Sequence, residues 1–356
     1  MASDKIGNTK NFRIPALITA LMLLGATYLM LPKSWFEVPD DKPAAQVQNI
    51  PVKDVQQSPA LDIEVLATQV IKTPLDYAVR TRYGLALATN GKLKEALTEF
   101  LEAKRLAPDN PVVYQNLGGY YLTVHDYKRA DEMFVKVTEL SPAEGKGHYF
   151  RALAAQGMGK HDIALEQFHL SVKLSPEFAD GWINLAMEGT KAEPEEKVLE
   201  YARTYERLTR NEGLSNFVIS GAYRTWHKYD QAAQYAELSV KTDPKNYAYW
   251  HNLGKIYSFA RKFDKSDKAL ETAMYLTSKP AIIYQERAVN MLNSGKYQRA
   301  LEFYKSALAA SPASGNLHHS ISRTYLKMND ITNAAKEEAL YRDWERSTQA
   351  DKSNGN

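Results

Sequence analysis

The sequence predicts an all-α solenoid of eight helix-turn-helix units preceded by one transmembrane helix, and three observations carry the prediction. Prolines recur at multiples of 34 residues, two columns of small side chains keep the same register, and an uncharged stretch of 19 residues stands near the start. The 356 residues suffice for roughly two domains of about 150 residues, or for one long repeat array. Hydrophobic residues at 44% and charged residues at 24% exclude a disordered chain and a polytopic membrane protein. A formal charge of +3, from 45 basic and 42 acidic residues, makes no case for a nucleic-acid partner. With no cysteine there is no Cys-anchored lipoprotein, thiol nucleophile, covalently attached haem, cysteine zinc site or disulfide. A chain without thiols suits an oxidising envelope as well as cytosol.

Residues 1–13 read as a short cytoplasmic N-terminus carrying Lys5, Lys10 and Arg13 against Asp4. Residues 14–32, Ile14 to Pro32, hold no charge, and 19 residues rising about 1.5 Å each just span a bilayer core of about 30 Å. Pro15 falls in the first turn, where a missing N–H is tolerated, and Tyr28, Trp35 and Phe36 stand at the far end like an interfacial belt. The reading is an uncleaved signal anchor in the lipid bilayer of a bacterial inner membrane. A cleaved signal peptide is the alternative, but Gly25-Ala26-Thr27 is a poor cleavage site and further apolar residues follow it. Lys and Arg near the membrane number three before the span, with only Lys33 and Lys42 close after it, which places the repeats in the periplasm. An inverted anchor with repeats facing the cytosol is the competing arrangement. Residues 33–60 carry Pro39, Pro43, Pro51 and Pro59 among Gln, Asp and Lys and read as a semi-stiff linker. Residues 61–76 supply a helix that covers the first repeat.

The array follows at 77–348. Pro108, Pro142 and Pro176 are spaced 34 apart, and Pro176, Pro244 and Pro312 are spaced 68, so units begin at 77, 111, 145, 179, 213, 247, 281 and 315. Position 8 is always small, for example Gly84, Gly118, Ala152 and Gly254, and position 20 is nearly always Ala, which lets facing helices approach closely. Positions 4, 7 and 11 form an apolar stripe, as in Tyr114, Leu117 and Tyr121. Gly91, Gly159 and Gly295 at position 15 end first helices, and the proline at position 32 ends second ones. Unit four departs at Glu193-Pro194-Glu195-Glu196 and at Val198, Ala202 and Tyr205, where a bend or hinge is expected. Arg151 and Arg287 occupy the apolar position 7, with a buried stem and a charge at the rim or paired to a neighbour as the ordinary explanation and a buried ligand-binding arginine as the alternative. The last helix, about Ile331 to Arg346, is polar outside like a terminal cap, and residues 349–356 read as a disordered tail.

Trp-x-Asn-Leu-Gly in Trp250 to Gly254, Tyr-x-Asn-Leu-Gly in Tyr114 to Gly118 and Trp-x-Asn-Leu-Ala in Trp182 to Ala186 resemble the tetratricopeptide repeat, over about three quarters of the chain. The resemblance implies a right-handed superhelix whose concave groove binds protein partners as extended or helical segments. In that family the groove is lined from positions 2, 5, 6, 9, 12 and 13 of the first helices. Here those positions give Tyr149, Phe150, Leu153, Ile183, Asn184, Met187, Leu214, Phe217 and Val218, an apolar centre for a partner, with packing between neighbouring units or against the chain's own tether as the alternative. Asn116, Asn184 and Asn252 at position 6 resemble the family's asparagines that hydrogen-bond a bound peptide's backbone. The carboxylate clamp of chaperone-binding members is absent. The best of three windows, Thr81, Leu85, Asn116, Lys146 and Phe150, matches it at two of five positions.

No catalytic constellation and no cofactor site is read. Gly145-Lys146-Gly147 lacks the spacing of a phosphate loop. His318 and His319 are adjacent on a helix and point about 100° apart, which gives a poor pair of metal ligands. His125 and His227 fall at the inter-helix turn. The expected function is therefore a membrane-anchored scaffold or adaptor in assembly of an envelope complex for pilus, secretion, polysaccharide or cytochrome maturation. The rival is a structural homo-oligomer at the membrane.

Overall fold

The computed structural model describes residues 63–278 and 280–354, and the expected anchor over 14–32 and linker over 33–60 lie outside them. The described residues form seventeen helices. α1 is Ile63–Lys72, standing before the first unit, and residues 73–76 that follow are not helical. The eight units are then α2 Tyr77–Thr89 with α3 Leu93–Leu106, α4 Pro111–Thr123 with α5 Tyr127–Leu140, α6 Gly145–Gly157 with α7 His161–Leu174, α8 Ala179–Gly189 with α9 Glu195–Thr209, α10 Glu212–Thr225 with α11 Tyr229–Thr242, α12 Tyr247–Phe259 with α13 Phe263–Tyr275, α14 Ala281–Asn293 with α15 Tyr297–Ala310, and α16 Gly315–Lys327 with α17 Ile331–Asn354. No helix among the described residues is long and apolar enough to cross a membrane. The array falls into two compact units, residues 63–184 and residues 185–354.

Local chemistry starts the first helices. Asp76 accepts from the Ala78 and Val79 amides, Asn110 from Val112 with Pro111 at the first helical position, and Asn246 from Ala248, so orphan amides are satisfied where each helix begins. The turn between paired helices is governed by position 15. Gly91, His125, Gly159, His227, Arg261, Gly295 and Asn329 all have φ between 57° and 76°. Glycine reaches this left-handed region without strain, and the other residues accept a cost to keep the turn. Both turn histidines are tied down locally, His125 Nδ1 to the Tyr127 hydroxyl at 2.9 Å and His227 Nδ1 to the Tyr229 hydroxyl at 2.8 Å.

The small residue at position 8 faces the large one at position 24. A Cβ added at Gly118 would lie 2.7 Å from the Phe134 ring, and one at Gly84 would lie 2.9 Å from Phe100. Phe100, Phe134 and Phe168 at this column are fully enclosed. Close backbone approach and a filled ring pocket are thus one feature of the packing.

Unit four is rebuilt. Glu193 stands at position 15 without a positive φ, α8 stops early at Gly189, and residues 190–194 connect it to α9. The Thr190 carbonyl accepts the Trp226 indole N–H at 2.9 Å, and Lys228 pairs with Glu195, which fixes this longer turn against the next helix pair. At position 32, where the neighbouring units have proline, Arg210 adopts φ 60° and caps α9 through its amide to the Glu206 carbonyl. Only Arg210 and Asn211 separate α9 from α10, whereas four residues separate α3 from α4.

Two expectations change or sharpen. The expected tail is corrected over 349–354, and 355–356 lie outside the described residues: α17 continues to Asn354, because Ser347 to Asn354 contains neither glycine nor proline to stop it. Trp344 on this long helix lies over the start of α16, where a Cβ on Gly315 would meet its ring at 1.9 Å. Both arginines at position 7 are paired. Arg151 Nε donates to Asp131 at 3.2 Å, and Arg287 donates to both Asp267 oxygens at 2.7 and 3.0 Å.

Candidate partner-binding site

The expected groove residues are taken unit by unit. In residues 63–184, Asn116 lies on α4, Tyr149, Phe150 and Leu153 on α6, and Ile183 and Asn184 on α8. In residues 185–354, Met187 lies on α8, Leu214, Phe217 and Val218 on α10, and Asn252 on α12. Tyr149, Leu153, Ile183, Asn184, Met187, Leu214, Phe217 and Val218 are buried. Only Asn116, Phe150 and Asn252 are half-exposed. The expectation of partner contact is revised for the buried eight, because a buried side chain offers no surface until its packing opens.

The packing around Tyr149 shows why. Its ring meets Phe150 at 5.3 Å, Phe168 at 5.8 Å and Phe178 at 5.0 Å, with Phe178 edge-on at 88°. Burial pushes the phenol well above its ordinary range, the Asp180 charge adds to that, and the hydroxyl stays protonated. Phe150 extends the cluster towards the surface, stacked on Phe134 at 5.1 Å and 15°. Phe217 packs on Tyr249 at 5.5 Å with the rings tilted by 35°.

The position 6 amides donate inward. Asn116 Nδ2 reaches the Val112 carbonyl at 2.8 Å, Asn184 Nδ2 the Asp180 carbonyl at 2.9 Å and the Tyr149 hydroxyl at 3.3 Å, and Asn252 Nδ2 the Ser220 hydroxyl at 2.7 Å. Their donors serve the protein's own helices. Asn184 Oδ1 is buried without a hydrogen-bond partner, and so is Asn216 Oδ1 on α10, a residue the sequence reading did not select. The aromatic residue opening the motif is also internal in role: the Trp182 and Trp250 indoles donate to the Pro176 and Pro244 carbonyls at 2.7 and 2.8 Å.

Residues 185–354 contain a charged cluster that sequence reasoning missed. His251 and Lys255 on α12 meet Glu286 on α14, with His251 Nε2 2.7 Å from one carboxylate oxygen and Lys255 Nζ 3.9 Å from the other. Tyr247 stacks on the His251 ring at 5.5 Å and 15°. Burial disfavours the Glu286 anion, but the His251, Lys255 and Arg224 charges outweigh it and hold the carboxyl below its usual range. The only sequence signal was a few titratable residues on each of several first helices, too sparse to assign until the helices are stacked. His318 and His319 pair outside this cluster, with Glu337 at 2.7 Å and Glu338 at 3.3 Å. Among the described residues no three His, Asp or Glu side chains gather as a metal site.

Sequence models of the tetratricopeptide repeat match residues 60–111, 112–144 and 247–280. Anaphase-promoting complex subunit 3 of Schizosaccharomyces pombe is 20% identical over 254 residues, covering 71% of this chain and 38% of that protein. Mitochondrial import receptor subunit TOM70 of Saccharomyces cerevisiae is 36% identical over 117 residues, 31% of this chain and 18% of that protein. This chain therefore spans well under half the length of either relative. Among solved structures, a tetratricopeptide repeat protein from Parabacteroides merdae superposes with a TM-score of 0.59 at 14% identity, covering 70% of this chain and 98% of that one. The Cut9-Hcn1 hetero-tetramer of the APC/C superposes with a TM-score of 0.54 at 19% identity, covering 74% and 52%. At these identities the structural likeness speaks for the fold alone.

Stacked helix pairs with a repeated left-handed turn define a helical-repeat protein. The chain belongs to the tetratricopeptide repeat family.

Proposed function

We propose that this protein is a membrane-anchored scaffold that holds protein partners on the first helices of its repeats and so helps assemble a cell-envelope complex. The observation that carries the reading is the recurrence of half-exposed side chains on those helices, Asn116, Phe150 and Asn252. The relatives' names, a subunit of the anaphase-promoting complex and a subunit of an import receptor, support a role among other proteins. An anchor at 14–32 and a linker at 33–60 would raise the local concentration of any partner at the same membrane. The charge bias around the anchor favours a periplasmic array.

The test places a photo-crosslinking amino acid at Asn116, Phe150 or Asn252 in the full chain, with exposed Lys94 on α3 as the control. Discrete adducts with another protein at the first three positions and none at Lys94 are expected. Adducts at twice the chain's mass would replace the reading with self-association, and no adduct at any of the three would remove it. Protease cleavage near Lys53 in intact spheroplasts is expected for a periplasmic array; protection until lysis would place the array in the cytosol.

A further inference from the structure

The inter-helix turns of units five to eight, residues 224–229, 258–263, 292–297 and 326–331, form one edge of residues 185–354. Contacts between units line these turns up. Lys228 pairs with Glu195 of the unit before it, Lys262 with Asp230 at 2.6 Å and Lys296 with Asp264 at 3.4 Å, while the Tyr229 ring lies parallel to Phe259 at 6.0 Å. Positive φ at His227, Arg261, Gly295 and Asn329 gives all four turns the same backbone, so equivalent side chains emerge at the same edge.

The edge is both basic and apolar. Its four turns carry Arg224, Lys228, Arg261, Lys262, Lys296 and Lys327 against Asp330 alone. Among these cations stand Phe259, 49% exposed, Leu326, 56%, Met328, 38%, and Ile331, 67%. The turns of units one to three expose no large apolar side chain, so the repeat itself does not require this patch. Three of the cations have an acid one unit back, but Asp230 and Asp264 are 84% and 90% exposed, and water-screened pairs of that kind exchange partners at little cost. Arg261 and Lys327 have no ion-pair partner among the described residues, and the Arg261 guanidinium lies over the Phe263 ring at 5.9 Å.

The charge selects the occupant. A second copy seated by a two-fold contact would set this edge against itself and bring like charges together. A bilayer with anionic headgroups answers both features, since phosphates meet the cations while apolar tips pass between headgroups to the acyl boundary.

We infer that this turn edge docks on an anionic lipid bilayer, with Phe259, Leu326, Met328 and Ile331 entering the headgroup region and Arg261 and Lys327 meeting phosphates. The inference rests on the reading of 14–32 as an anchor, which keeps the edge within reach of a membrane through the linker. Docked in this way, residues 185–354 lie against the bilayer by their turns instead of swinging on the linker.

The experiment uses the lack of cysteine. Met328→Cys in the full chain gives one site for an environment-sensitive fluorophore, and Tyr275→Cys, 78% exposed at the far end of α13 from its turn, is the control. Each labelled chain is reconstituted in vesicles of phosphatidylcholine with about a quarter phosphatidylglycerol, with and without a lipid that carries a nitroxide near its headgroup. The vesicles contain no other protein, so quenching reports lipid. Emission at Met328→Cys is expected to shift to the blue and to be quenched, and both effects are expected to fade at about 1 M salt and in Arg261→Glu with Lys327→Glu. Tyr275→Cys is expected to show neither. Ile331→Cys takes the place of Met328→Cys should the latter lose helical circular dichroism. No quenching at either position, equal quenching at Tyr275→Cys, or equal quenching in phosphatidylcholine alone overturns the inference. Alkaline carbonate extraction separates it from the anchor reading: a chain quenched at Met328→Cys yet released by carbonate keeps this inference and sinks the anchor, and a chain retained without quenching does the reverse.

Discussion

Arg287 occupies a position that the repeat otherwise gives to an apolar side chain, and its surroundings explain how the charge is accommodated. It is 8% exposed, donates to both oxygens of Asp267, lies 3.6 Å from Glu271 and sits over the Phe303 ring at 4.5 Å. Arg151, four units earlier, uses the same device, an aspartate twenty residues before it, but with a single contact of 3.2 Å and 24% exposure. Burial separates the two energetically. Removing one partner of a buried pair leaves the other charge uncompensated, while an open pair loses little because water replaces it. Arg287→Ala is therefore expected to cost about 3 kcal/mol and Arg151→Ala less than about 1 kcal/mol in urea unfolding of the full chain. Equal losses would mean that the guanidinium stems, not the ion pairs, carry the effect.

At the scale of the element, unit four makes the sharpest prediction. Alignment of the repeats recommends proline at residue 210, since Pro108, Pro142, Pro176 and Pro244 occupy the equivalent place. The backbone there forbids it. Arg210 has φ 60°, whereas the proline ring requires about −65°, and the Arg210 amide donates to Glu206 at 2.8 Å. Arg210→Pro is expected to destabilise the protein by about 3 kcal/mol or more, and Arg210→Gly to stabilise it by about 1 kcal/mol. A consensus proline that stabilised the chain would show that α9 and α10 can adopt the ordinary four-residue connection.

The same element shows what the sequence discloses. The unit boundaries, the glycine turns at 91, 159 and 295 and the irregularity of unit four were all legible, because each depends on residues close in the chain. At His125 and His227 the turn itself was legible from the repeat register, but its left-handed backbone there and at Arg261 and Asn329 was not, since no glycine marks those positions. The extension of α17 was hidden by a polar composition that resembles a tail but contains no helix breaker. Candidate site residues were harder. Position numbers identify which helix bears Tyr149 or Phe217, but whether such a ring is buried depends on the size of rings contributed from other helices. The cluster of Arg224, His251, Lys255 and Glu286 draws on α10, α12 and α14 and exists only when they are stacked.

On the scale of the whole molecule, a repeat array is stabilised between neighbours, so a local disturbance should travel only as far as packed side chains carry it. In residues 63–184 the carrier is aromatic: Phe134 stacks on Phe150, Phe150 meets Tyr149, and Tyr149 touches both Phe168 and Phe178. Gly118 sits against the first ring of that series, at 2.7 Å for an added Cβ. Gly118→Val must displace Phe134, at a cost of about 1 to 3 kcal/mol for overpacking a filled core. The displaced ring pushes Phe150 on α6 and, through Tyr149, Phe168 on α7. Hydrogen exchange is therefore expected to accelerate in α4, α5, α6 and α7 and to stay unchanged in α12 to α16. Gly254→Val strikes Leu270, whose branched side chain can turn aside, so its disturbance is expected to remain within α12, α13 and α14. Uniform acceleration throughout the array in either variant would show that the repeats open as one cooperative body, and nearest-neighbour packing would then not set the local stability on which partner access depends.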